Sequence, residues 1–196
     1  MQVLVVDNFQ ILFYTKSMSL LYTRKGDKGV SHIGKKRIKK TNPFVEALGQ
    51  LDELNSMLGV LKSMKIQKNL IDTLHEIQES LFIIQANLAY LMLKEKRTPP
   101  LLGSAKTKRV EKIIEQIENK LNPAKKFVIS GTTYLSAWLD LLRAKSRNVE
   151  RSVLRSDVGG KLNPEIRVYL NRLSSLFFAL ARWESRNKKE KYPTYK

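Results

Sequence analysis

Apolar residues recur at intervals of three and four along five stretches of the chain, the pattern of helices that each bury one face. From Pro43 to about Met64, Phe44, Leu48, Leu51, Leu54, Leu58 and Leu61 share a side, and Thr41 or Asn42 supplies the cap, with Pro43 in the first turn. A second helix is expected over about 67–95 on the stripe Leu70, Leu74, Ile77, Leu81, Ile84, Leu88 and Leu91. Thr98-Pro99-Pro100 and Gly103-Ser104 break the pattern. A charged helix follows over about 105–121 with Val110, Ile113, Ile114, Ile117 and Leu121 on one face. Asn122-Pro123 ends it, and Lys125 to Gly131 reads as a short extended link. A fourth helix over about 132–156 carries Leu135, Trp138, Leu139, Leu142, Val149 and Val153 on its core side. After Gly159-Gly160, Asn163 caps and Pro164 opens a last helix to about 187, with Ile166, Tyr169, Leu170, Leu173, Leu176, Phe177 and Leu180 inward. Five amphipathic helices with short connections predict an all-α, five-helix antiparallel bundle.

Two stretches do not fit a helix. Residues 1–17 are apolar and β-prone and end before a second methionine, Met18, so they read as an N-terminal extension that translation from Met18 would omit. From Leu20 the chain runs LYTRKGDKGVSHIGKKRIKKTNP, a Gly- and Lys-rich loop whose backbone and side-chain donors suit an anion. Its spacing is not that of a Walker A loop. The tail from Arg186 is polar and basic and is expected to fray, giving a bundle domain over 18–187 and a tail over 188–196.

The fourth helix adds chemistry to the pattern. At about 100° per residue, Arg143, Arg147, Glu150 and Arg151 fall on one side of it, next to the apolar stripe. Arginines one turn apart repel, so an anion lying across them is a physical reason for the stripe, and a guanidinium fork suits phosphate. A solvated face of a basic protein remains the alternative.

Charge sharpens this. The chain has 196 residues, with 36 Lys and Arg against 18 Asp and Glu, a net +18 and a pI near 10.1. Nucleotide phosphates, nucleic acid and a membrane surface all answer to such a balance. Few aromatics sit among the basic runs, which argues against stacking on single-stranded nucleic acid. No apolar run is long enough to span a bilayer. The first residues lack the basic n-region and cleavage site of a signal peptide, so a cytoplasmic location is expected. With no cysteine and only His32 and His75, thiolate chemistry is excluded, and neither a zinc site nor a Ser/His/Asp apparatus is expected.

TRKGDKGVS, VEALGQLDELNSMLG, FVISGTT, RAKSRNVER and NPEIRVYLNRLSSLFFALAR, in this order over about residues 21–184, resemble the PduO-type ATP:cob(I)alamin adenosyltransferases. The resemblance implies a homotrimer of five-helix bundles that moves the 5′-deoxyadenosyl group of ATP onto the cobalt of cob(I)alamin, with sites between neighbouring subunits. It implies that Thr23, Arg24, Gly26, Asp27, Lys28 and Ser31 close over ATP, with Lys40 on the phosphates. Arg143, Arg147, Glu150 and Asn171 would complete the nucleotide site, Arg147 as phosphate clamp and Glu150 as its orienting partner. Asp52 would pair with Arg143 of the neighbouring chain, and Phe127 would lie against the corrin. Mg²⁺ would arrive on the phosphates, and a corrinoid reductase and an adenosylcobalamin-dependent acceptor enzyme would be partners. The chain departs from the family pattern at Asp140, Asn148, Ser130, Thr132 and Ser175. Asp140 lies on the arginine face, where it competes with Asp52 for Arg143. An ATP- or corrinoid-binding carrier and a basic nucleic-acid-binding protein are the alternative functions.

Overall fold

The computed structural model describes residues 22, 24–34, 36–94, 96, 98–121, 126–157 and 159–195. The expected extension 1–17, Met18, Thr23, Lys35 and Asn122 to Lys125 lie outside them. A two-stranded antiparallel hairpin, β1 (Val30–Ile33) and β2 (Lys36–Lys39), precedes five helices: α1 (Pro43–Lys62), α2 (Lys68–Leu93), α3 (Ser104–Leu121), α4 (Tyr134–Ser156) and α5 (Pro164–Ser185).

The helix ends are set locally. Asn42 and Asn163 accept the backbone N–H groups of Phe44 at 2.9 Å and Glu165 at 3.0 Å, each followed by the proline the sequence called for. Thr133 and Ser136 form a reciprocal capping box at the start of α4, close to the expected boundary. The apolar stripes form one core through all five helices, with Leu51, Leu54, Leu58, Leu74, Leu88, Leu142 and Leu173 fully buried. Leu135 and Trp138, expected to face inward on α4, pack only partly buried at its edge.

Cross-helix pairs give the directions. Lys62 to Gln78 joins α1 and α2 antiparallel, and Lys145 and Arg155 of α4 meet Gln50, Glu53 and Glu46 of α1 in reverse order. On α4 and α5, Asp140 pairs with Arg182 and Glu150 with Asn171, again antiparallel. Thr107 meets Glu165 and Glu111 meets Arg172, so α3 and α5 run parallel, and Arg109 of α3 pairs with Glu76 of α2 to close the ring. An odd number of helices alternating in direction around a ring leaves one parallel neighbour pair, and here it is α3 and α5. Buried serines permit the close α4 packing. Ser146 and Ser156 satisfy their hydroxyls on the carbonyls of Arg143 and Val153 one turn back.

Two expectations change. The stretch read as an irregular loop contains the hairpin, because backbone pairing in the register Val30 to Lys39 and Ile33 to Lys36 outweighs the poor strand propensity of its lysines. Gly34 turns it at φ +56°, and Lys36 Nζ docks it on the free carbonyl of Leu93 at 2.6 Å, at the end of α2. The tail, expected to fray, is docked as far as Tyr192. Ile129 N–H donates to the Lys191 carbonyl at 2.8 Å, Glu190 lies 3.3 Å from Arg182, and Lys126 sits over the Tyr192 ring. Among the described residues no helix is long and apolar enough to cross a membrane.

Candidate functional site

Helix α4 places Arg143 and Arg147 one turn apart on the wall of a cavity of about 310 Å³ between α3, α4 and α5. Ile114, Ile117, Glu118 and Leu121 of α3 and Phe178 of α5 also line it. The cavity is therefore amphipathic, combining guanidiniums with hydrocarbon and one carboxylate, Glu118. Arg182 adds a third guanidinium.

The arginines are held differently. Arg147 is exposed and has no hydrogen bond or ion pair among the described residues, which leaves its whole donor fork for an incoming anion. Arg143 is half-buried, and its Nε lies 3.6 Å from Asp140 Oδ1. Within its own chain Arg143 thus stands beside Asp140. Arg151, the third arginine of the stripe, donates to Asn148. Glu150 accepts from Asn171 Nδ2 at 3.0 Å, while Asn171 Oδ1 accepts from Arg172 at 2.8 Å. Glu150 is thus held by Asn171, which the neighbouring face of α5 brings within reach, and no ion pair joins it to Arg147 among the described residues.

The loop residues form a second group. Arg24 takes up a left-handed conformation, φ +55°, and stacks its guanidinium over Tyr22 at 5.4 Å. Gly26 and Lys40 come together: a Cβ at Gly26 would stand 3.3 Å from Lys40 Nζ. The Lys40 N–H donates to the Gly29 carbonyl at 3.0 Å, so Gly26, Asp27, Lys28 and Gly29 are gathered against the far end of β2. Ser31 lies in β1, half-buried, and Asp27, Lys28 and Lys40 are exposed. Thr23 is outside the described residues. No hydrogen bond or ion pair among the described residues joins Arg24, Gly26, Asp27, Lys28, Ser31 or Lys40 to Arg143, Arg147, Glu150 or Asn171.

Asp52 and Phe127 stand apart from both groups. Asp52 is half-buried on α1, without an ion-pair partner among the described residues, whereas its neighbour Glu53 is taken by Lys145. Phe127 is 78% exposed on the link before α4, so it is not part of this chain's core. Sequence reasoning overlooked Arg182, Phe178 and Glu190. An arginine four residues after an aromatic on an otherwise apolar helix was the available signal for the first two. Two titrating groups lie away from the cavity. Burial pushes the Tyr169 hydroxyl up to about 12, with the Ser80 hydroxyl pulling the other way. Burial raises the Glu184 carboxyl against the opposing charge of Arg186.

The same architecture occurs in proteins of described activity. A solved structure of a variant PduO-type ATP:corrinoid adenosyltransferase from Lactobacillus reuteri, complexed with cobalamin and ATP, superposes with a TM-score of 0.82 at 30% identity, covering 89% of this chain and 99% of that one. A corrinoid adenosyltransferase of Citrobacter freundii is 36% identical over 168 residues, 85% of this chain and 96% of that protein. The corrinoid adenosyltransferase PduO of Salmonella typhimurium is 30% identical over 165 residues, so the chain spans about half of that longer protein, 49%. Residues 21–184, the hairpin and all five helices almost to the end of α5, match the family model for cobalamin adenosyltransferase, and it is to this family that the chain belongs.

Proposed function

We propose that this protein transfers the 5′-deoxyadenosyl group of ATP to the cobalt of cob(I)alamin, releasing triphosphate. The observation that carries the reading is Arg147, a guanidinium with no partner among the described residues, on the wall of a cavity also lined by Ile114, Ile117, Leu121 and Phe178. A polyphosphate answers to the guanidinium and a flat, largely apolar corrinoid to the hydrocarbon.

In the reaction the electron pair of Co(I) attacks C5′, the Co–C bond forms, and the C5′–O bond breaks with its pair leaving on triphosphate. The nucleophile is part of the substrate, so the protein needs no Ser, Cys or His of its own for that step. Its work is to hold C5′ in line and to stabilise charge gathering on the departing phosphates. Arg147 supplies a free donor fork for that charge, Arg143 stands one turn before it, and Glu150 with Asn171 orients the nucleoside end. Arg24, Gly26, Asp27, Lys28 and Ser31, with Thr23, would close over ATP, with Lys40 on the phosphates. Mg²⁺ fits as a passenger of the phosphates, because the carboxylates near Arg143 and Arg147 do not gather into a group of three that could hold a bare cation among the described residues. When bound it neutralises phosphate charge.

A homotrimer with sites shared between subunits is supported by the two separate groups, by half-buried Asp52, and by the exposed Phe127 at the end of a link. In this reading Asp52 of one subunit meets Arg143 of the next, and Phe127 lies against the corrin. A cytoplasmic location, a corrinoid reductase and an adenosylcobalamin-dependent acceptor enzyme complete the proposal. One observation favours a second reading, a carrier with little transferase activity: Arg143 already has Asp140 at 3.6 Å within its own chain. Anaerobic incubation with ATP and chemically reduced cobalamin decides between them. Loss of the Co(I) spectrum with formation of adenosylcobalamin is the expected result, and ATP binding without product would leave the carrier.

A further inference from the structure

We propose that Asp140 is a positioning residue for the nucleotide site, locked by Arg182 so that its second oxygen fixes the Arg143 guanidinium. This rests on the assignment of Arg143 to nucleotide binding. Asp140 and Arg182 are each only 6% exposed, and Arg182 Nη2 donates to Asp140 Oδ2 at 2.7 Å. A guanidinium so buried is tolerated because anions surround it. Asp140 is one, Glu190 of the tail, 3.3 Å away, is the other, and the Phe178 ring lies 5.1 Å from the guanidinium carbon. The Glu190 contact is electrostatic only, since neither Arg182 Nε nor Glu190 Oε1 is aligned for a hydrogen bond. Asp140 is thus the directional partner.

The lock has a consequence for Arg143. With Oδ2 committed to Arg182, Asp140 presents Oδ1 to Arg143, 3.6 Å from Nε, as an ion pair and not a hydrogen bond. Both terminal nitrogens of Arg143 stay without a partner among the described residues, and they are the pair that chelates a phosphate or carboxylate. Arg143 and Arg182 both line the cavity, and with Asp140 and Glu190 they make a four-charge cluster beside this wall. Glu190 also connects this wall to the link that bears Phe127, because the next residue, Lys191, accepts the backbone bond from Ile129.

The sign of the effect separates positioning from mere charge. A carboxylate near a phosphate site repels phosphate, so by field alone Asp140→Asn strengthens anion binding. Positioning predicts the reverse, because the amide keeps an oxygen for Arg182 but turns an NH2 towards Arg143 and releases it. Binding of inorganic triphosphate and of ATP to the full chain is measured by calorimetry for wild type, Asp140→Asn, Arg143→Lys and the double variant, beside adenosylation kinetics. Lysine keeps the charge of Arg143 but lacks Nε. The expected result is that Asp140→Asn weakens triphosphate binding and raises the KM for ATP by about tenfold, leaves the KM for cob(I)alamin within about twofold, and adds nothing in the Arg143→Lys background. Unchanged or tighter triphosphate binding, or an equal loss in both backgrounds, would overturn the proposal. If Asp140→Asn fails to fold, Glu190→Gln loosens Arg182 from its other side, and the same comparison decides. A wild-type protein that binds triphosphate but makes no adenosylcobalamin refutes the transferase reading alone, and the binding cycle still tests Asp140.

Discussion

The side-chain amide of Asn171 donates to the Glu150 carboxylate at 3.0 Å, joining α5 to α4 one turn beyond Arg147. Glu150 is thereby held towards α5, and Arg147 has no ion-pair partner among the described residues. Losing a charge-assisted phosphate contact costs roughly 1.5–3 kcal/mol, so Arg147→Ala is expected to weaken ATP use at least about tenfold. Because Arg147 is exposed, the far-ultraviolet circular dichroism should not change. Ordinary kcat/KM for ATP in the variant would return the arginine stripe to a solvated face.

Asp52 provides the test of assembly. A half-buried carboxylate without an ion-pair partner among the described residues is best used across an interface, and the two terminal nitrogens of Arg143 likewise have no partner among them. Asp52→Ala should reduce adenosylation while leaving the monomer fold intact. Exchange of the two charges, Asp52→Arg with Arg143→Asp, should recover part of the activity lost in either single variant. Light scattering that finds a fully active monomer at micromolar concentration would refute the shared site.

Phe127→Ala should barely alter the melting temperature, since truncating a side chain that is 78% exposed removes little packing, on the order of 0.5 kcal/mol. Against the corrin, this ring would exclude the lower ligand and make Co(II) easier to reduce. The variant should then be slow from cob(II)alamin plus reductant and less impaired from pre-reduced cob(I)alamin. Equal defects in both assays would remove Phe127 from the corrin face.

Tyr169 makes stability depend on pH at the alkaline end. Its hydroxyl ionises near 12 in the folded chain against a reference of 10.0. Above pH 10 the unfolded chain therefore loses this proton first, and stability is lost as pH rises through the interval to 12. Two units correspond to about 2–3 kcal/mol in total. Urea titrations at about pH 8 and pH 11 should show wild type losing roughly 1 kcal/mol more than Tyr169→Phe. The same pH dependence in both proteins would show that Tyr169 is not the group responsible.

Helix ends and core stripes were legible in the sequence because they depend on residues a few positions apart. Asn42 with Pro43, Asn163 with Pro164 and the three- and four-residue spacing of the leucines carry their instructions locally. Arg143 and Arg147 were legible for the same reason, as two members of one helical face. The partners of that face were not. Asp140 and Arg182 are 42 positions apart, beyond any local pattern, and their meeting depends on how α4 and α5 are rotated against each other. Asp140 was visible as one of two rivals for Arg143, but only the packing of α5 supplied the buried guanidinium that holds it. The hairpin and the docked tail likewise arise from backbone bonds between distant segments, Val30 with Lys39 and Ile129 with Lys191, and backbone N–H and carbonyl groups are the same in every non-proline residue. Side-chain identity thus specified which helices form and which face is charged, while the tertiary arrangement decided which of those charges are left free to meet a ligand.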